Sequence, residues 1–268
     1  METPGNGKRY RTIFVSDIHL GARACQAGFF LDFLRHHEAD TFYLVGDVVD
    51  FWRMKRGAYW PQEHNDVVQK LLRKVRKGSR VVYIPGNHDE ALRAYCGAQF
   101  GGIKVVRSDV HIAADGRKFL IIHGDEFDVV VRYAKWLAFL GDWAYDMALW
   151  VNTHLNWARR RLDLPYWSLS AYLKHSVKRA VNYIGEFEAA LSQEAQRHGA
   201  QGVICGHIHH ATMREFEGIL YINTGDWVES CTAVAETYEG EFELIRWAGL
   251  AEEGGRTPEV VTDFGAAA

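Results

Sequence analysis

Nine polar residues punctuate the chain in five short clusters: Asp17-Ile-His19, Asp47, Asn87-His88-Asp89, His123 and His207-Ile-His209. Carboxylate oxygen, amide oxygen and imidazole nitrogen are the donors that divalent cations such as Mn²⁺, Fe²⁺ and Zn²⁺ accept. Seven of these residues, Asp17, His19, Asp47, Asn87, His123, His207 and His209, are the candidate ligands, too many for one four-coordinate ion. They suit two cations that share a bridging carboxylate, with Mn²⁺ expected first and Fe²⁺ or Zn²⁺ as the alternatives. Two cations about 3.5–4 Å apart clamp a phosphoryl group and lower the pKa of a coordinated water toward about 7.

The elements that must position these residues are visible as short β-branched or aromatic runs that end at each cluster. Thr12–Ser16 runs into Asp17, Thr41–Val45 into Gly46-Asp47, and Arg80–Ile84 into Pro85-Gly86-Asn87-His88-Asp89. Phe119–Ile122 runs into His123-Gly124-Asp125, and Gly202–Cys205 into Gly206-His207-Ile208-His209. Each is a buried-strand pattern closed by a turn. In extended backbone residues i and i+2 face the same side, which would bring Asp17 to His19 and His207 to His209. Glycines at 46, 86, 124 and 206 permit tight turns and close backbone approach. Helices are predicted over residues 26–38 and 63–77, the second ending in Arg73, Lys74, Arg76 and Lys77 before Gly78. The alternation predicts an α/β architecture. After Gly206 the runs Ile219–Asn223, Cys231–Tyr238 and Glu241–Trp247 predict consecutive strands, an antiparallel closing section, and residues 251–268 a loose tail.

The 268 residues are 48% hydrophobic and 24% charged with a net charge of −3, the balance of a globular protein. No net positive charge points to a nucleic-acid partner. Cys25, Cys96, Cys205 and Cys231 are far apart and form no CxxC pair, which suits a reducing compartment. The N-terminus has no apolar leader, and no window of 18 uncharged apolar residues occurs, so a soluble, cytoplasmic chain is expected. One segment breaks the rhythm. Residues 128–185 hold eight Lys/Arg against four Asp/Glu, so this stretch is +4 in a chain of net −3. Trp136, Trp143, Trp150 and Trp157 recur there every seven residues, along one face of a helix. The expected organisation is therefore a core of residues 1–127 and 186–250 carrying an inserted helical cap at 128–185. The Trp stripe either packs on the body of the protein, the simpler account, or faces acyl chains or a membrane surface. Arg159–Arg161, Lys174, Lys178 and Arg179 form either a solvated face or a contact for anionic lipid or diphosphate. Lys174 and Lys178, one helical step apart, are the candidate substrate contacts.

The blocks DIH, GDVVD, GNHDE, HGD and GHIH, in this order, resemble the calcineurin-like metallophosphoesterases over most of the chain. The resemblance implies a two-sheet sandwich flanked by helices, an αββα arrangement, here with the inserted cap. It implies one cation held by Asp17, His19, Asp47 and His209, and a second by Asp47, Asn87, His123 and His207, with Asp47 bridging. His88 matches the family histidine that contacts the phosphate and stabilises developing charge or protonates the leaving group, and is the candidate catalytic residue. The chain size, the insert before GHIH and the block Asn223-Thr-Gly-Asp-Trp227 resemble the UDP-2,3-diacylglucosamine pyrophosphohydrolase group. That implies cleavage of a nucleotide-linked lipid to UMP and 2,3-diacylglucosamine 1-phosphate in lipid A synthesis, at the inner face of the inner membrane. The chain departs from that group at His88, where the group carries Arg, and in Glu126-Phe-Asp-Val-Val after HGD. The alternative is the same metal centre acting on another nucleotide-linked or lipid phosphodiester. Oligomeric state is left open.

Two neighbours of the clusters have competing roles. Asp50 either orients a ligand histidine or caps the next helix. Asp125 either orients His123 or forms a turn. His210, one position past the ligand pair, is expected to point away. The stretch Trp60-Pro-Gln-Glu-His64-Asn has no account from sequence alone.

Overall fold

The computed structural model describes residues 8–127 and 184–247 and the backbone of 259–261. The chain divides into two compact units, one of residues 1–125 and 191–268 and one of residues 126–190. In the second unit only residues 126–127 and the helical residues 184–190 are described, so the predicted cap at 128–185, its Trp stripe, Lys174 and Lys178 lie outside or almost wholly outside the described residues.

The first unit begins β1 (Lys8–Val15), α1 (Ala27–His36), β2 (His37–Val45), α2 (Phe51–Arg56), α3 (Gln62–Arg76) and β3 (Arg80–Ile84). It continues with the short strands β4 (Gln99–Phe100), β5 (Ile103–Val105), β6 (Asp109–Ile112) and β7 (Lys118–Ile121). It closes with β8 (Gly202–Cys205), β9 (Thr212–Phe216), β10 (Ile219–Asn223), β11 (Thr232–Glu236), β12 (Phe242–Arg246) and β13 (Glu259–Val261). Two sheets result: an eight-stranded one ordered β13-β12-β11-β1-β2-β3-β5-β4 and a five-stranded one ordered β6-β7-β8-β10-β9. This is the α/β architecture that the sequence pattern predicts, in the two-sheet arrangement that the family resemblance implies.

Strand alternation decides what each face buries. On β1, β2 and β3, Phe14, Tyr43, Val45, Val82 and Ile84 meet Phe119, Ile121, Ile204 and Ile222 of the second sheet. The intervening Ile13, Val15, Phe42, Leu44 and Val81 meet Phe30, Phe33, Leu34, Val67 and Leu71 of α1 and α3. Burial on both faces is why these strands are almost continuously apolar. The strands β1, β2 and β3 are parallel neighbours, as are β7 and β8. Their carboxyl ends therefore lie at one end of each sheet, where α/β proteins build sites.

Three expectations are corrected. The helix predicted over 26–38 stops at His36, because β2 extends back to pair Lys8 with His37 and Tyr10 with Ala39. The closing strands are not one antiparallel set. β10 joins the second sheet, parallel to β8, whereas β11 and β12 run antiparallel in the first. The tail predicted to be loose contains β13, paired antiparallel to β12, where Val260-Val261 completes an otherwise open edge.

One buried carboxylate ties two of the motif turns together. Asp89 accepts hydrogen bonds from the backbone N–H of Gly86 at 2.6 Å and of Val48 at 2.8 Å, and from the Tyr83 hydroxyl. Burial pushes its carboxyl above the usual carboxylate range. Asp89→Ala would strand these donors, and it is expected to lower the unfolding free energy by about 3 kcal/mol in chemical denaturation. A loss below about 1 kcal/mol would show that the turns hold without this carboxylate.

Candidate active site

All seven candidate ligands follow the carboxyl ends of parallel strands: Asp17 and His19 after β1, Asp47 after β2, Asn87 after β3, His123 after β7, and His207 and His209 after β8. The loop carrying Asp17 and His19 stays paired with the Asp47 loop, with Asp17 N donating to Gly46 O at 3.0 Å and His19 N to Asp47 O at 2.9 Å. The backbone is not extended there. Asp17, His19, Asp47, His207 and His209 have φ of 51°, 56°, 51°, 73° and 53°. This left-handed region is uncommon for residues other than glycine and costs on the order of 1 kcal/mol or more for each. Convergence of the i, i+2 pairs thus comes from coiled loop ends, which corrects the extended geometry expected for them.

Four of the candidate ligand side chains, those of Asp17, Asp47, His19 and His123, have one polar atom fixed by the protein. Oδ2 of Asp17 accepts from the Ser16 hydroxyl at 2.5 Å and from His207 N at 2.9 Å. Oδ1 of Asp47 accepts from His88 N at 2.8 Å. Nδ1 of His19 lies 3.2 Å from Asp50 Oδ2, and Nδ1 of His123 donates to Val45 O at 2.8 Å. The other atoms converge. Nε2 of His123 lies 3.4 Å from Asp47 Oδ2, and Nε2 of His209 lies 3.3 Å from Asp17 Oδ1. Asp17, His19 and His209 form one group whose donor atoms lie within 4.8 Å of one another, and Asp47, His123 and His207 form another. Asp17 Oδ1, His19 Nε2, Asn87 Oδ1 and His123 Nε2 are buried without a hydrogen-bond partner. A donor set of this kind, tied at one atom and open at the other, fits divalent cations.

Charge follows the same division. Burial opposes ionisation of Asp47, but His123, His88 and His19 overcome it and hold its carboxyl well below the usual range. Burial likewise works against the His123 imidazolium, and Asp47 outweighs it, pushing the ring up to about 10. His88 is raised too, against its burial, by Asp50 and then Asp47.

His88 also lies within 4.8 Å of donor atoms of His19 and Asp47. Its Nδ1 is 3.0 Å from Asp50 Oδ1 and its Nε2 is 4.0 Å from Asp47 Oδ2, with the side chain 24% exposed. The ring packs against Trp52 at 4.3 Å and edge-on to His19 at 4.7 Å. Asp50 performs both of its competing roles: it contacts His19 and His88, and it caps α2 by accepting Arg53 N at 2.8 Å. Asp125 instead takes the guanidinium of Arg93 at 2.6 Å, and His210 is exposed.

The Calcineurin-like phosphoesterase sequence profile matches residues 10–211, three quarters of the chain and all five clusters. The chain belongs to the calcineurin-like phosphoesterases. It is accordingly a metal-dependent phosphoesterase. Two similar relatives are proteins named UDP-2,3-diacylglucosamine hydrolase. The one from Aeromonas hydrophila is 25% identical over 236 residues, covering 81% of this chain and 91% of the relative. The one from Haemophilus influenzae is 25% identical over 256 residues, covering 87% and 98%. Among solved structures, vacuolar protein sorting 29 from Cryptosporidium parvum aligns with a TM-score of 0.47 at 14% identity, covering 93% of this chain and 95% of that one.

The structural roles of several residues that hold this phosphoesterase site escaped sequence reasoning. Thr224 Oγ1 donates to Ser16 Oγ at 2.6 Å, and Asn223 Nδ2 to Gly206 O at 2.7 Å. Trp227 N donates to Asp17 O at 3.0 Å. The Asn223–Trp227 block therefore ties the β1 and β8 ends together. The unexplained stretch around Trp60 supplies buried His64, whose Nδ1 accepts from Gly21 N at 3.0 Å and so pins the loop after His19. Signals existed for both, a polar run after a strand and an isolated His in a helix, but neither names its partner.

At Gly86 a Cβ would lie inside contact distance of Asp47 Oδ1 and the His123 ring. Gly86→Ala is expected to lower kcat/KM about a hundredfold through displaced ligands, with little change in the folded fraction by circular dichroism. Activity within threefold of the parent protein would show that the cluster tolerates the displacement.

Proposed function

We propose that the cluster holds two divalent cations and that the chain cleaves UDP-2,3-diacylglucosamine to UMP and 2,3-diacylglucosamine 1-phosphate. The observation that carries the metal centre is the group of four buried, unpartnered donor atoms on Asp17, His19, Asn87 and His123. Each would cost about 1–3 kcal/mol if nothing met it. In this reading Asp17, His19, Asp47 and His209 hold one cation, and Asp47, Asn87, His123 and His207 the other. Mn²⁺ is the favoured ion, with Fe²⁺ or Zn²⁺ accepted by the same donors. The substrate is supported by the relatives named for it, which match this chain over most of both lengths.

The two cations, when bound, supply the Lewis acidity that activates water and neutralises the phosphoryl oxygens. Asp50 holds Nδ1 of His88, which leaves Nε2 to face the reacting group. Asp50, and then Asp47, raise the proton affinity of His88, which suits it to stabilise developing charge and to hand a proton to the leaving oxygen. Val45 O and Asp50 fix the tautomers of His123 and His19, so that Nε2 of each is the ligating atom. The insert at 128–185 would act as a cap for the acyl chains at the inner face of the membrane, with Lys174 and Lys178 on the substrate. Among the described residues no helix is long and apolar enough to cross a membrane.

The test follows UMP release from UDP-2,3-diacylglucosamine by Mn²⁺-loaded protein, with metal content measured beside it. Asp47→Ala is expected to lower turnover at least a thousandfold and to lose bound metal, and chelation should abolish activity reversibly. Turnover persisting in Asp47→Ala would overturn the metal centre. Cleavage of bis(p-nitrophenyl) phosphate without UMP release would leave the centre standing and assign another phosphodiester.

A further inference from the structure

Beside the ligand cluster lies a cavity of about 650 Å³ whose wall includes His19, His88 and His209. Besides Asp50, the charged residues of its remaining lining are three arginines, set among small residues and Tyr59. Arg23 comes from the loop after His19, and Arg53 and Arg56, one helical turn apart, come from α2. All three are exposed, and among the described residues none is paired with a carboxylate. Asp50 also lines the cavity, but its oxygens are engaged by His19, His88 and the backbone of Arg53, so its charge is already answered.

The rim is held in place. Arg23 stacks over the Tyr59 ring at 4.7 Å, and Tyr59 packs edge-on to His64 at 5.7 Å. His64 in turn accepts from Gly21 N, two residues before Arg23. The stretch Tyr59–His64 therefore anchors the loop that presents Arg23. Three arginines lining one cavity without acidic partners make a site for a polyanion, because the planar N–H fork of a guanidinium matches phosphoryl oxygens bidentately. The cavity is also larger than one phosphoryl group needs, and it opens directly on the reacting end of the site.

We propose that this cavity is the subsite for a second phosphoryl group next to the one attacked, with Arg23, Arg53 and Arg56 as its ligands. The inference deepens the hydrolase reading and rests on it: the metal cluster fixes the reacting phosphorus, and the arginine rim selects diphosphate diesters over simple phosphodiesters.

The test is calorimetric binding to Mn²⁺-loaded full-length protein, with UDP-glucose as the diphosphate diester and the methyl ester of UMP as the monophosphate diester. The parent protein is expected to bind UDP-glucose at least tenfold more tightly. Arg53→Ala and Arg56→Ala should each reduce that preference about tenfold, and Arg53→Lys and Arg56→Lys should recover part of it. These side chains are exposed, and thermal unfolding run beside the titration separates lost binding from lost folding. Absence of a preference in the parent protein, or a preference unchanged in both alanine variants, would overturn the subsite. Because binding is read without turnover, a failure to release UMP from UDP-2,3-diacylglucosamine would remove the proposed substrate alone and leave the subsite to be decided by the titrations.

Discussion

A carboxylate buried at the carboxyl end of a central parallel strand is the constraint on which the site turns. Asp47 is almost fully enclosed, with one oxygen satisfied by His88 N and the other facing His123. A charge in that position is tolerable only if cations or protonated groups answer it. The surrounding imidazoles do so here: Asp47 makes His123 hold its proton more tightly than a free imidazole, and it adds to the stronger effect of Asp50 on His88. The same arrangement is what a pair of divalent cations would take over, with the imidazoles giving up protons to become ligands. Electrostatic compensation within the protein and metal binding therefore draw on one set of residues.

Such a cluster demands a rigid frame, and the fold supplies it in two ways. Parallel pairing of β1 with β2, of β2 with β3, and of β7 with β8 aligns the strand ends that carry the candidate ligands. Buried polar links then lock the loops beyond those ends: Asp89 joins the turns after β2 and β3, and Asn223, Thr224 and Trp227 join those after β1 and β8. These links let five ligand residues stay at positive φ. Strain of this kind persists where neighbouring structure over-determines the backbone, and here it aims the candidate ligands.

Sequence made the candidate ligands, which the structure brings together, legible because coordination and catalysis constrain residue type, and strand-to-turn punctuation constrains where they stand. Asp17, His19, Asp47, Asn87, His123, His207 and His209 could be read for that reason, and so could the apolar strands buried on both faces. What could not be read depends on partners distant in the chain. The coiled backbone of Asp17 and His19 is imposed by pairing with the Asp47 loop, so a local rule for extended segments misjudges it. The direction of β10 is set by β8, and the early start of β2 by β1. Asp50 carries a cap and two histidines at once, which no local rule anticipates. The convergence of Arg23, Arg53 and Arg56 on one cavity is likewise a tertiary fact.

The central claim is that the orphaned donor atoms around Asp47 face two adjacent cation positions. Anomalous diffraction from crystals of the Mn²⁺-loaded protein tests it most directly. The account predicts two peaks about 3.5–4 Å apart, one on each side of the Asp47 carboxylate. A single peak, or peaks remote from Asp47, would contradict it.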